Sequence, residues 1–129
     1  MDSIRLLKIL MVIGGIVELA VGFLFFFLDQ FLTQLGFEII PLFTQMIAAF
    51  FLCFGILLIY SRRDMEKYKI IPLVNILLRI IVISFSLINL GKYSEFLIIL
   101  LFAIPYDLGW ALFVLILMWK SNIIIKGKR

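Results

Sequence analysis

An arginine stands close to the middle of PLVNILLRIIVISFSLINL, the run from Pro72 to Leu90. The run has the length of a membrane-spanning helix. On insertion scales a charge at the bilayer centre costs about 2.5–3.5 kcal/mol, while each large aliphatic residue or Phe returns about 0.3–0.6 kcal/mol. The large apolar residues of this run therefore return only about twice what Arg79 costs. Such a helix needs polar partners from elsewhere in the chain.

Three further apolar runs supply the places where partners can stand: residues 4–28, 41–60 and 96–119. With 65% hydrophobic residues, against roughly 45–50% apolar usage in soluble domains, the chain reads as an integral membrane protein. The expected fold is all-α, a single transmembrane four-helix bundle over residues 1–129. The first run exceeds the h-region of a signal peptide, carries Glu18 and lacks a small-x-small cleavage site, so it reads as a retained span. Pro41 suits the first turn of the second span, and Pro105 is expected to bend the fourth just before Asp107.

Between the first two spans, residues 29–40 read DQFLTQLGFEII. Leu28, Phe31, Leu32 and Leu35 share one helical face, which predicts a short interfacial helix on the outer side, a lid resting on the bundle rather than a substrate gate. The charge run SRRDMEKYKII at 61–71 reads as a solvated cytoplasmic turn that fixes orientation. Of the 12 basic residues, 10 lie at one end: Arg5, Lys8, Arg62, Arg63, Lys67, Lys69, Lys120, Lys126, Lys128 and Arg129. Lys92 lies at the other, with Asp29, Glu38 and Glu95, and Arg79 lies within a span. This bias predicts four spans in the cytoplasmic (cell) membrane with both termini cytoplasmic. The bases sit at the ends of apolar runs, not on a soluble face among aromatics, so no nucleic-acid partner is expected.

Depth brings three charges together. At about 1.5 Å of rise per residue, Glu18, Arg79 and Asp107 all fall within roughly 3 Å of the bilayer centre. Asn75, Arg79, Val82, Ser86 and Asn89 form a stripe along one side of the third span, and Ala103, Asp107, Trp110, Ala111 and Val114 share a face of the fourth. Gly14, Glu18 and Gly22 lie on one side of the first, where small residues permit close backbone approach; Ala48, Ala49 and Gly55 offer the same in the second. Glu18 and Asp107 are both expected to turn toward Arg79, with Asn75, Ser86, Asn89, Gln45, Tyr106 and Trp110 as supporting polar groups. Two acids facing one base leave a surplus acid, to be protonated, solvated or matched by a cation. The competing reading is a buried ion pair that only fixes helix register.

Other features exclude chemistry. The chain has no histidine, which removes His-ligated haem, the usual zinc sites and His-based general base catalysis. Its one cysteine, Cys53, excludes an intramolecular dithiol mechanism and reads as a core or lipid-facing residue. No phosphate loop, nucleophile elbow or HExxH pattern occurs, so no catalytic residue, metal ligand or cofactor is assigned. Phe23, Phe25, Phe26 and Phe27 read as lipid-facing bulk.

SRRDMEKY after the second span, a basic residue inside the third and PYDLGW within the fourth resemble a pattern of small, uncharacterised bacterial four-helix membrane proteins of a DoxX-like kind. That resemblance implies a four-helix bundle in the cytoplasmic membrane, in a grouping some of whose members are linked to quinone or sulfur redox systems. It carries over no catalytic residue. Gly14-Gly15-Ile16-Val17-Glu18 is similar to the first helix of small multidrug-resistance transporters, which use one membrane-embedded glutamate, although Arg79 and Asp107 have no counterpart in that pattern.

The leading functional expectation is a non-enzymatic bundle whose Glu18, Arg79 and Asp107 bind a small hydrophobic or cationic ligand, or which serves as an accessory subunit to a membrane partner. The alternatives are a proton-coupled small-molecule transporter acting as a homo-oligomer and a lipid-modifying acid–base enzyme.

Overall fold

Within a bilayer every backbone N–H and C=O needs an internal partner, so uninterrupted apolar runs become helices. The computed structural model describes residues 2–34, 36, 38, 40–89 and 97–124, with the backbone alone at 97–99. It contains α1 (Ser3–Gln34), α2 (Pro41–Ser61), α3 (Ile70–Asn89) and α4 (Leu97–Lys120). All four are long and apolar enough to cross a membrane, and no strand occurs among the described residues. The chain is an all-helical, multi-pass membrane protein.

The first helix departs most from expectation. Rather than stopping near Leu28 and restarting as a separate short helix, α1 runs on through Asp29, Gln30 and Thr33 to Gln34. Nothing between Leu28 and Gln34 breaks a helix, and the Thr33 hydroxyl donates to the Asp29 carbonyl at 2.7 Å within the last turn. The stop comes at Gly36, whose φ of 85° lies in the left-handed region and whose N–H donates to the Thr33 carbonyl at 3.0 Å. At about 1.5 Å per residue, the 32 residues of α1 reach about 48 Å, well beyond a hydrocarbon core of about 30 Å. Residues 35, 37 and 39 of the expected interfacial helix lie outside the described residues.

The remaining ends follow their local sequence. Pro41 opens α2 where its missing N–H would have had no intrahelical partner, after Ile40 in extended conformation. Asp64 then closes the turn into α3: its carboxylate accepts from the Lys67 N–H and its carbonyl from the Tyr68 N–H, each at 3.0 Å. Pro72 falls in the first turn of α3, and Pro105 is accommodated inside α4 without ending it. At the end of α4, Asn122 takes a φ of 55°. Its N–H bonds back to the Trp119 carbonyl at 3.0 Å and the Ile123 N–H to the Met118 carbonyl at 3.1 Å, which is the Schellman arrangement. Ile123 and Met118, the two residues whose side chains meet in that motif, are both buried.

The contacts divide the chain into two units, one of residues 8–63 and one of 1–7 with 64–129. In the first, α1 and α2 meet backbone to backbone. A Cβ built on Gly15 would stand 2.6 Å from the Gly55 carbonyl oxygen, and one on Gly55 would stand 2.8 Å from that of Gly15. Two turns away, a Cβ on Gly22 would meet the Ala48 carbonyl oxygen at 3.1 Å. Gly22 and Gly55 are thus at work as expected and Gly15 joins them, with Ala48 buried, whereas Ala49 is exposed. Phe23, Phe26 and Phe27 are exposed as expected; Phe25 instead tilts against Phe51, ring centroids 5.5 Å apart. Cys53 is exposed. In the second unit α3 packs on α4, and Pro72, Ile76, Ala111, Val114, Leu117 and Met118 are buried.

Glycine substitutions should separate the two situations. Gly15→Ala is expected to lower the melting temperature of the detergent-purified protein, at a cost of about 2 kcal/mol, because its methyl meets backbone that cannot step aside. Gly109→Ala, whose Cβ would meet nothing within 4 Å, should be neutral or gain up to about 1 kcal/mol of helix propensity. Equal melting temperatures for the two variants would refute the backbone contact.

Candidate functional site

Asn75 and Arg79 stand one helical turn apart on α3, so their side chains emerge on the same face. The Arg79 Nε donates to the Asn75 side-chain carbonyl at 3.1 Å. From α4, the PYDLGW segment supplies three side chains to the same guanidinium. The Arg79 Nη1 donates to the Asp107 Oδ1 in a charge-assisted ion pair. The guanidinium carbon lies 5.4 Å from the centre of the Tyr106 ring and 5.5 Å from that of Trp110, both within the reach of cation–π attraction. Tyr106 and Trp110 are four residues apart and Asp107 falls between them in sequence, which puts all three within one patch of the helix surface.

Burial grades across the site. Asn75 is 1% exposed and Arg79 6%. The Asp107 side chain is 16% exposed and Tyr106 44%. By side chain, Arg79 is 7% exposed and Asp107 16%, so the acid is the more accessible of the pair, and the neighbouring Tyr106 is half-exposed. An ionised carboxylate has about four acceptor positions, so the bond from Arg79 leaves Asp107 able to accept a further donor or to face a cation. Ala111 and Val114, which share the α4 face with Asp107, are buried at 4% and 1%.

Asn75, Arg79, Tyr106, Asp107 and Trp110 are thus brought together. Ser86 and Asn89, farther along α3, are not part of this contact: the Asn89 side-chain amide donates to the Phe85 carbonyl of its own helix at 2.8 Å. Gln45 is exposed on α2 in the other unit. Glu18 also belongs to that unit, where it is 5% exposed and engaged in an interaction. The clasp of the guanidinium by two aromatic faces was not legible as such. Tyr106 and Trp110 flanking an acid at i−1 and i+3 is the pattern that carries it.

No protein-family model, curated protein or solved structure matches this chain.

Removing one partner of a pair held this way leaves an uncompensated charge. Arg79→Met and Asp107→Leu are each expected to cost about 3 kcal/mol, and the two together to recover most of that loss. A double-mutant cycle on thermal unfolding in detergent checks this. Additive single losses, with no coupling between the positions, would show that the pair contributes nothing specific.

Proposed function

We propose that the chain binds a small hydrophobic or cationic ligand at the α3–α4 site, with Asp107 as the exchangeable acid and Arg79 as the fixed counter-charge. One observation carries this reading: Asp107 is the more exposed partner of the ion pair and adjoins the half-exposed Tyr106 ring. An amphiphilic cation would meet a carboxylate and an aromatic face there, the two groups that attract such a charge out of water. A register-fixing ion pair alone gives no reason for the acid to be the more exposed partner. An accessory role beside a membrane partner would use the same carboxylate for a donor on the partner's helix.

The proposed setting is the cytoplasmic membrane with both termini cytoplasmic, supported by 10 of 12 bases lying at one end of the spans. The polar end of α1, Asp29–Gln34, then lies in the outer interface, in keeping with its length beyond the hydrocarbon. Kinship with DoxX-like membrane proteins is part of the proposal and rests on the SRRDMEKY and PYDLGW segments together with Arg79.

Binding is tested with tetraphenylphosphonium as probe and triphenylphosphine oxide as its neutral counterpart. The cation is expected to raise the melting temperature of the purified protein saturably. The rise should vanish in Asp107→Asn, persist in Asp107→Glu and weaken in Tyr106→Ala, each compared with its own ligand-free baseline. If neither compound shifts the wild-type protein, and no membrane protein co-purifies with it, the binding reading fails.

Orientation is tested independently. In a Cys53→Ser background, Ser94→Cys should react with a membrane-impermeant maleimide on intact cells, and Lys128→Cys only after lysis. Labelling of both from outside would overturn the assignment of the termini.

A further inference from the structure

At the opposite end of the same helix pair from Asn89, the turn into α3 and the cap of α4 are fastened to each other. The Lys69 ammonium donates to the Ile123 carbonyl at 3.3 Å, just beyond the Schellman cap that Asn122 makes. This bond places a cation at the carbonyl end of α4, where the helix dipole is negative. It also holds the α3 turn, with Lys67, to the end of α4, with Lys120. Both Lys67 and Lys120 are exposed. The acids of this turn, Asp64 and Glu66, are exposed too, and Asp64 already accepts the Lys67 N–H.

We propose that Lys67, Lys69 and Lys120, with Trp119 beside them, bind the phosphate of an anionic phospholipid headgroup at the end of α3 and α4. Membrane orientation asks only for an excess of bases near the spans. It does not ask that they be gathered on a fixed backbone. Here the Lys69–Ile123 bond and the αL cap fix the two segments that carry Lys67 and Lys120, so less freedom is lost when an anion arrives. Trp119 is 62% exposed and precedes Lys120 directly, which is the placement of an interfacial aromatic at headgroup depth. The Lys67 ammonium lies 5.2 Å from the centre of the Tyr68 ring, so a second aromatic stands at this end. From Lys120 to Arg129 the sequence carries four bases and no acid. This site is separate from the one at Asp107 and does not depend on it.

The test uses the full chain purified in dodecyl maltoside, titrated with dioleoyl phosphatidylglycerol or dioleoyl phosphatidylcholine in mixed micelles. Phosphatidylglycerol is expected to raise the melting temperature saturably, and phosphatidylcholine not to. The shift should fall in about 0.5 M NaCl, as screening of exposed charges requires. Lys67→Gln with Lys120→Gln should weaken the apparent affinity about tenfold or more, whereas Lys67→Arg with Lys120→Arg and the distant Lys92→Gln should retain it. The proposal is overturned by an equal shift with phosphatidylcholine, by an unchanged shift in the doubly neutralised variant, or by inorganic phosphate alone reproducing the effect, which would assign the site to a free anion.

Discussion

A guanidinium at the middle of an apolar helix cannot be hydrated, and its donors and charge have to be met by the protein itself. In this chain Asn75 answers from one turn earlier on the same helix, and Asp107, Tyr106 and Trp110 answer from the next. That demand fixes more than one contact. Turning Asp107 toward α3 also turns Ala111 and Val114 inward, because they share its face, and both are buried. It sets the register along the axis as well, since Arg79 and Asp107 each lie near the middle of their own helix. A buried pair of this kind adds little net stability over an apolar core, but it penalises every other rotation and register of α3 against α4.

The α1–α2 contact rests on different physics. Lipid tails are as apolar as Leu, so no hydrophobic drive pulls these helices together, and close van der Waals contact has to serve. Gly15 and Gly55 allow it by removing the side chains that would hold the backbones apart, and Gly22 opposite Ala48 repeats the device farther along. One helix pair is thus specified by a charge that needs a partner, the other by surfaces that fit only because side chains are missing.

Chemically, the α3–α4 site is a carboxylate and an aromatic face supported by an enclosed cation. The chain has no histidine, and its single cysteine is exposed. The Lys69 side chain ties the turn into α3 to the segment just past the end of α4, at the Ile123 carbonyl.

Four spanning helices were legible in the sequence because the bilayer admits few other backbones, and apolar runs bounded by charges mark where they begin and end. Both ends of α2, the start of α3 and the end of α4 follow within one or two residues for that reason. The end of α1 did not, since Asp29–Gln34 is polar enough to look like a separate element while containing nothing that stops a helix; the stop is a backbone conformation, at Gly36. That Arg79 needs an acid at its own depth was legible in the sequence, because charge there leaves few options; which of Glu18 and Asp107 it would meet was not. That Tyr106 and Trp110 would put their ring faces to the guanidinium, that Phe25 would turn to Phe51 while its neighbours face outward, and that Lys69 would reach Ile123 depends on side-chain directions across helices. Periodicity determines which face a residue occupies; only the packing of one helix on another decides what that face meets.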